Sequence, residues 1–473
     1  MRILLLGQSP LPVEGGNQIN APGVRAWHFG RALAQAGHRV RLVAIQTKTG
    51  KVDEPHEVAP GLVLQPATET EITAQGLLTR LEAEFEPDGL IGASVWPSYL
   101  LALFGSTEKP LWGDLFGSPL AEGQAKAALY GDDRLIEPFA RFEATVLERA
   151  DAVSGVSRYQ EYALVGALAA HGRLNRYTYG RPLAYNIPAA LDDELLPHDC
   201  TVIRGTVVPE DAFVVLWSGG YNTWTDVETL FAGLEGAMSQ NPRLHFVSTG
   251  GALPPHDSLT YPHLQTLIEN SPYRERYHLL GWLPYEGLQN YYYESDLGII
   301  LDKWSYEGVL GSRTRLLDWL KYGLPAAITL TAELTQELAQ VNLAFPFPHG
   351  DGPALTRLLS ELATNPAKLQ SARERASDYA MQNFHYLKTC APLLAWAEAP
   401  RRASDAGQTR PLTLSGSNRE TEQLLASYKS QIEAKNAQIA SLEQWAHEME
   451  TTLKQTDPTP GAKLKRLLNK VKK

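Results

Sequence analysis

Glu307, Gly311, Arg313, Arg315 and Asp318 fall in one short stretch, DKWSYEGVLGSRTRLLDWLKYGLP, residues 302–325. An apolar run, LGIIL at 297–301, precedes it, and Gly323-Leu324-Pro325 closes it. This pattern predicts a strand that runs out into a loop, then a helix from near Ser312 to Gly323. A glycine-bearing loop that feeds a helix offers unpaired backbone N–H groups and the positive end of a dipole, which is an anion site. Arg313 and Arg315 stand in the first turn, where a cation opposes that dipole. An anionic ligand removes the conflict. Asp318 lies one turn further on, placed to accept hydrogen bonds from hydroxyls. Phosphate at one end with hydroxyls beside it points to a nucleotide sugar. The bland alternative is a buried strand–helix unit with a solvated Arg315–Asp318 pair at i,i+3.

The elements that must hold this stretch read as a doubly wound α/β chain. RILLLG at 2–7 has the unbroken apolar run of a parallel core strand, followed by PLPVEGGNQ, a helical stretch ending at Ala36-Gly37-His38, and a second strand at 39–45. Further strands are expected at 89–93 and 110–114, and ADAVSGVS at 150–157 reads as a strand and then a helix cap. A second strand–helix series opens at Phe213 with FVVLWSGGYNTW. It continues with a helix at 227–240, strands at 243–249 and 278–283, a helix at 285–294, strands at 297–301 and 326–330, and a helical region at 353–380. A closing helix is expected at 385–398, crossing back onto the first half.

Composition sets the outer bounds. The 473 residues are 44% hydrophobic and 20% charged, which is ordinary for a globular chain with room for two domains. A formal charge of −10 gives the body no nucleic-acid footprint. Cys200 and Cys390 are the only cysteines, with no metal-binding spacing around them. That fits a reducing cytosol. No apolar run approaches the roughly 20 residues of a membrane helix, and MRILLLGQSP turns into a glycine loop too early for a signal segment.

The donor block resembles that of the retaining GT-B glycosyltransferases, glycosyltransferase family four. There a Glu-Gly loop leads into a helix that bears a second acid just before a Gly-x-Pro turn. Glu307 matches the first acid, and Asp318 matches the second by its distance from Gly323. Two departures stand out. The second acid is Asp, and ten residues separate it from Glu307, a longer gap than the family's pattern has. The loop is therefore remodelled. The resemblance, which covers about residues 1–398, implies the GT-B fold: two Rossmann-like domains facing a cleft. The N-terminal acceptor domain is then 1–190, completed by helix 385–398, and the nucleotide-sugar domain is 200–384.

The same resemblance implies roles for individual residues. Gly15 and Gly16 open beside the cleft, before the Gly37-His38-Arg39-Val40 turn; a plain turn is the alternative. Gly219, Gly220 and Tyr221 form the first loop of the nucleotide domain. Gly250 ends a neighbouring strand, and Gly281 and Trp282 stand beside the base. Gly311, Ser312, Thr314 and Asp318 complete the donor site. Asp114, in Trp112-Gly113-Asp114-Leu115, corresponds to a position that faces the anomeric carbon, although a cap or turn role is open to it. Glu122 supports the acceptor side. By position alone, Arg25 and His28, one turn apart in the first helix, either reach the cleft or lie on the surface. The family's usual Arg and Lys after the first glycines are absent here, where the chain reads YNTWTD. Lys303, Arg313 and Arg315 are the replacements available, and Arg313 is the one the pattern favours. Asp114, Glu307 and Arg313 make the expected catalytic set. Trp224 is either a ring platform or a core aromatic.

Breaking a sugar–phosphate bond needs stabilisation of the leaving diphosphate. Metal-dependent transferases use Asp-x-Asp for this, and no Asp-x-Asp occurs in the chain. GT-B sites use backbone amides and cations instead, so neither metal nor cofactor is expected. The resemblance implies a nucleotide sugar as substrate and, as acceptor, a glycan or a lipid-linked molecule in surface-polysaccharide synthesis.

Residues 400–418 are polar and rich in Pro, Gly and Ser, the composition of a flexible linker. Beyond them Leu425, Tyr428, Ile432, Lys435, Ile439, Leu442, Ala446, Met449 and Leu453 alternate at spacings of three and four. This predicts a coiled coil over 419–456 and a homo-oligomer through 425–453. After Pro458 and Pro460 comes GAKLKRLLNKVKK, with Leu464, Leu467, Leu468 and Val471 on one helical face. Residues 458–473 read either as a basic amphipathic tail for the inner face of the cell membrane, through 463–473, or as a solvated end. Two other functions fit the same residues: an inactive GT-B scaffold that acts through its coiled coil, and a sugar-nucleotide epimerase.

Overall fold

The structure is a computed structural model that describes residues 1–15, 19–46, 54–254, 256–408 and 419–454. Gly16 and the basic segment 463–473 lie outside the described residues.

The first lobe is built on eight strands: β1 (Arg2–Gln8), β2 (Arg39–Ile45), β3 (His56–Ala59), β4 (Leu62–Ala67), β5 (Gly89–Gly92), β6 (Leu111–Asp114), β7 (Ala152–Gly155) and β8 (Ala184–Asn186). Their order is β3-β4-β2-β1-β5-β6-β7-β8. All neighbours are parallel except β3 and β4, which pair antiparallel at the edge. The second lobe holds six strands: β9 (Phe213–Ser218), β10 (Leu244–Thr249), β11 (Tyr277–Leu279), β12 (Leu297–Ile300), β13 (Ala326–Thr329) and β14 (Ala344–Phe347). Their order is β11-β10-β9-β12-β13-β14, parallel throughout. Each sheet therefore changes direction once, between β1 and β5 and between β9 and β12. In open α/β sheets ligands bind outside the carboxyl ends of the strands at that point. The architecture is GT-B, as the resemblance implied.

The apolar runs explain why these strands are central. Ile3, Leu4, Leu5 and Leu6 of β1 and Val214, Val215 and Leu216 of β9 are wholly buried, as strands covered by helices on both faces must be. The helix Tyr386–Thr389 and its continuation Ala391–Ala397 return to the first lobe, where Tyr386, Cys390, Leu393 and Ala397 join its core.

Two expectations change. Residues 400–408 are not a free linker. Asp405 is buried and takes Arg173 Nε at 2.8 Å and Nη2 at 3.2 Å, while Arg402 Nε meets Asp151 at 3.1 Å. The charges of RRASDA, which the composition placed in a flexible linker, fix the segment. The other change concerns the donor block, which is two short helices and not one. Ser305 caps Tyr306–Leu310, Gly311 ends it, and the second helix runs Arg315–Lys321. Arg313 thus precedes the helix and Arg315 is its first residue.

Residues 419–454 form one continuous helix, Arg419–Lys454. Leu425, Tyr428, Ile432, Ile439 and Leu442 along its heptad seam are exposed. The short helix Glu69–Thr73 belongs to the same unit, with Thr70 Oγ1 3.2 Å from Ser430 Oγ. Among the described residues no helix is long and apolar enough to cross a membrane.

Candidate active site

The carboxyl ends of β1, β5, β9 and β12 open on one cavity of about 1110 Å³ between the two sheets. Ser9, Pro10 and Gly15 line it after β1, and Ser94 to Trp96 after β5. Ser218 to Gly220 and Asn222 line it after β9, and Ile300 and Asp302 at the end of β12.

On the second lobe, Trp319 fixes the key geometry. Its ring covers Gly298 in β12, where a Cβ would come within 2.4 Å of the indole, and its Nε1 donates to Ser218 Oγ at 2.9 Å. That anchor sets helix Arg315–Lys321 against the loop after β9. Gly219 has φ +84°, a conformation glycine adopts freely. The Arg315 guanidinium lies against this loop, with Nη2 donating to the Gly220 carbonyl at 3.0 Å and its carbon 4.6 Å from the Trp217 ring centroid. Arg315 Nη1 is buried with no hydrogen-bond partner. Burial lowers the Arg315 pKa to about 10, which keeps it charged at neutral pH.

Arg313 is engaged differently. Its Nε donates to Asp302 at 2.6 Å and its Nη2 to Glu307 at 2.9 Å, and all three residues are buried. Burial pulls the Arg313 pKa down, but the two carboxylates outweigh it and hold it above the usual value. Burial pushes Glu307 up, against the pull of Arg313. The expected phosphate cation is therefore already neutralised within the protein, and Arg315 is the cation with capacity to spare. Asp302 was not anticipated; it is the residue directly after the LGIIL run, and its position was its only signal.

Asp318 lines the cavity, and burial raises its pKa to about 6. Gly311, Ser312 and Thr314 line it too, as do Gly15, Gly219, Gly220, Trp224 and Trp282. Trp224 is half-buried, with the Arg313 guanidinium 5.7 Å from its ring centroid. Three expected donor residues serve the scaffold instead. Tyr221 is fully buried, stacked 4.6 Å from Trp217, with its hydroxyl 2.8 Å from Ser248 Oγ. Gly250 passes under the glycine loop, where a Cβ would stand 1.9 Å from the Gly219 carbonyl oxygen. Gly281 supplies a turn with φ +72° and leaves the cavity wall to Trp282.

On the first lobe, Asp114 is wholly buried and its carboxylate is saturated. It accepts from Arg25 Nε and Nη2, from the Ser94 backbone and from Ser154 Oγ at 2.7 Å. Asp114 holds Arg25 in place, and Arg25 and His28 are the residues that line the cavity. Burial lowers the His28 pKa to about 4, so its imidazole is neutral. Glu122 lines the cavity from the first turn of helix Pro119–Tyr130, which Ser118 caps. Burial lifts its pKa to about 7. His256 Nδ1, from the other lobe, is 3.5 Å from Glu122, and His256 Nε2 is buried without a partner. The Oγ atoms of Ser94 and Thr249 are in the same condition, and both residues line the cavity. Such orphaned donors and acceptors suit a ligand rich in oxygen.

Residues 20–175 match the family model of a glycosyl transferase 4-like domain. No curated protein sequence matches the chain. Among solved structures, the chain is similar to sucrose-phosphate synthase from Thermosynechococcus elongatus, with a TM-score of 0.63 at 15% identity over 84% of this chain and 98% of that one. It is similar to HepE of Anabaena in complex with UDP and glucose, with a TM-score of 0.60 at 15% identity over 84% of this chain and 99% of that one. It is also similar to WaaG, described as a glycosyltransferase involved in lipopolysaccharide biosynthesis, with a TM-score of 0.55 at 14% identity over 84% and 99%. The body of the chain has the GT-B fold of these proteins. Its first lobe carries the match to the glycosyl transferase 4-like domain, and the chain resembles the family-four type.

Proposed function

We propose that the protein is a glycosyltransferase that takes a sugar from a nucleotide-diphosphate sugar and passes it, with retention, to a glycan or lipid-linked acceptor. The observation that carries this reading is Arg315. A half-buried cation whose Nη1 is buried and unpartnered sits on the glycine loop at the switch point of the second sheet, within a cavity that reaches the other lobe. A diphosphate against Gly219, Gly220 and Arg315 would have its leaving charge neutralised by backbone amides and one guanidinium. The proposal therefore assigns no metal and no cofactor. Asp318, as a carboxylate, would accept from donor hydroxyls. The Asp302–Arg313–Glu307 cluster would shape the sugar pocket, with Glu307 facing the transferred ring. UDP and glucose in the HepE complex and UDP-2-fluoro glucose in a second similar structure, described as trehalose-6-phosphate from E. coli, favour this class of donor.

The exposed seam of helix Arg419–Lys454 supports self-association, which would gather several active sites near a polymeric or membrane-borne acceptor at the inner face of the cell membrane. The competing reading is an inactive scaffold. The engagement of Arg313 by its own acids favours it, and the unpartnered Nη1 of Arg315 weighs against it.

The test is a thermal-shift screen against UDP-, GDP-, ADP- and dTDP-sugars, with Arg315→Ala and Asp318→Ala alongside. A ligand that binds only the native state stabilises it by mass action. A shift with one nucleotide sugar, lost in both variants and present in chelator, supports the proposal. No shift with any of the four moves the function to the scaffold reading.

A further inference from the structure

The helix Arg158–Ala170 follows β7, and Ser157 caps it. Its inner residues Gln160, Leu164 and Leu168 are buried. Its first turn is engaged by the second lobe: the Arg158 backbone donates to Glu333 at 2.6 Å and the Tyr159 hydroxyl to Gln336 at 2.9 Å. Beyond that turn the outer face lacks the charge that a solvated helix face carries. Tyr162, Ala163, Val165, Gly166 and Ala170 are exposed there. Tyr162 is 67% exposed, and a Cβ added at Gly166 would meet no atom within 4 Å, so this apolar face has no cover among the described residues.

The loop after the helix extends the face. Leu174 and Tyr179 are exposed, Tyr179 by 90%, and so are Arg176 and Arg181. This exposure is built in. Thr178 Oγ1 donates to the Arg173 carbonyl at 2.6 Å, Asn175 Nδ2 to the Gly172 carbonyl at 3.0 Å, and the Tyr177 backbone to Asn175 Oδ1 at 3.0 Å. The segment 400–408 braces the loop from outside, with Ser404 Oγ donating to the Tyr177 carbonyl at 2.5 Å and Asp405 holding Arg173. A loop fixed in this way keeps apolar surface in water at a standing cost.

Charge marks out the same region. No Asp or Glu occurs from Tyr162 to Leu191, in a chain whose formal charge is −10. Glu148, on the preceding helix, pairs with His171 at 3.4 Å. Arg176 rests on the Tyr177 ring, 4.7 Å from its centroid, a neutral partner that leaves its charge intact.

From this apolar face and its cationic end we propose that helix Arg158–Ala170 and the loop 172–181 dock on an anionic lipid bilayer. Tyr162, Val165, Leu174 and Tyr179 enter the headgroup region, and Arg176 and Arg181 meet lipid phosphates. A second copy of the chain would bring the same cations to the contact and suits the face less well. The helix starts at the cleft, where Ser157 Oγ donates to the Leu310 carbonyl at 3.0 Å beside Gly311 of the cavity wall. Docking along it brings that edge of the cavity toward the lipid. This surface belongs to the folded body, is separate from segment 463–473, and does not depend on the transferase reading.

The test is flotation of the full chain with vesicles of phosphatidylcholine alone and of equal parts phosphatidylcholine and phosphatidylglycerol. The chain should float with the mixed vesicles, less so with the neutral ones, and less as salt rises. Arg176→Gln with Arg181→Gln should lower the partition coefficient roughly fivefold for each charge removed. Tyr162→Asp with Tyr179→Asp should abolish flotation while Tyr162→Phe with Tyr179→Phe retains it, and matching melting temperatures show that all variants fold. No flotation with either vesicle overturns the proposal. Flotation that the Gln and Asp variants leave unchanged also overturns it and assigns binding to another surface such as 463–473. A change in light-scattering mass with unchanged flotation overturns it in favour of a second copy.

Discussion

Arg315 Nη2 donates to the Gly220 carbonyl at 3.0 Å, and this bond ties a cavity cation whose Nη1 is still unpartnered to the glycine loop after β9. The family pattern puts its cations just after the glycines. Here that place holds Tyr221, Asn222 and Trp224, and the charge comes from the far side of the cleft floor. Arg315→Ala is therefore expected to raise the Kd of the donor by about 10- to 100-fold, from the loss of a charge-assisted hydrogen bond of ~1.5–3 kcal/mol. Titration calorimetry with the nucleotide sugar checks it. An unchanged Kd would mean that the diphosphate lies elsewhere.

Arg313 predicts a different outcome. Removing it leaves Asp302 and Glu307 buried side by side without their counter-charge. Arg313→Met should cost ~3–5 kcal/mol of stability. The triple variant Asp302→Asn, Glu307→Gln, Arg313→Met should recover most of that loss, since no charge is left behind. Chemical denaturation distinguishes the two. If the single and triple variants unfold alike, the cluster is not held by charge.

Asp318 gives a pH dependence with a definite sign. Its pKa rises from 3.8 to about 6 because it is buried. The folded protein then holds this proton more tightly than the unfolded chain does. The contribution to stability is complete below pH 3.8 and is lost as the pH rises through about 6. Asp318→Asn removes the ionisation. Near pH 4 it should match the native protein, and above pH 6 it should be more stable by ~1–2 kcal/mol, a figure reduced from roughly two pKa units for partial exposure. The donor-free protein is the one to measure. A variant that is less stable at pH 8 would show that the carboxylate is paired and not merely buried.

The sequence made the fold readable because its strands are short apolar runs between glycine turns. FVVLW, LGIIL and RILLLG became β9, β12 and β1, and helix Val227–Gln240 fell where its capping Asp226 put it. The edge strand β3 and its neighbour β4 escaped notice because HEVA and LVLQPA mix polar and apolar residues without a clear period. At the site, glycine spacing located the loops, but it could not say which glycines face a ligand and which face each other; Gly219 and Gly250 are one of each. Arg313 and Arg315 are two residues apart, and the pattern that favoured Arg313 carried no sign of Asp302 and Glu307, which engage it and whose reach depends on the break at Gly311. Asp114 was placed correctly at the end of β6, yet its partners Arg25, Ser94 and Ser154 come from three other elements, and they turn it from a candidate reactant into a support.

The helix Arg419–Lys454 leads to the last prediction. Its seam leaves Leu425, Tyr428, Ile432, Lys435, Ile439 and Leu442 exposed at spacings of three and four, a pattern that closes on a second helix of the same kind. The full chain should therefore be an oligomer in light scattering, and a chain ending at residue 416 a monomer. The cut must spare residues 400–408. A chain ending at 400 loses Asp405 and leaves the Arg173 guanidinium buried with only the Leu147 and Ala150 carbonyls for company, so it should melt lower than the 416 form for a reason unrelated to assembly. Ile432→Glu with Ile439→Glu in the full chain places charge on the exposed seam. Those substitutions should dissolve the oligomer and leave the melting temperature of the body unchanged. A monomeric full chain would remove the coiled coil from the account and leave the helix as a surface for some other partner.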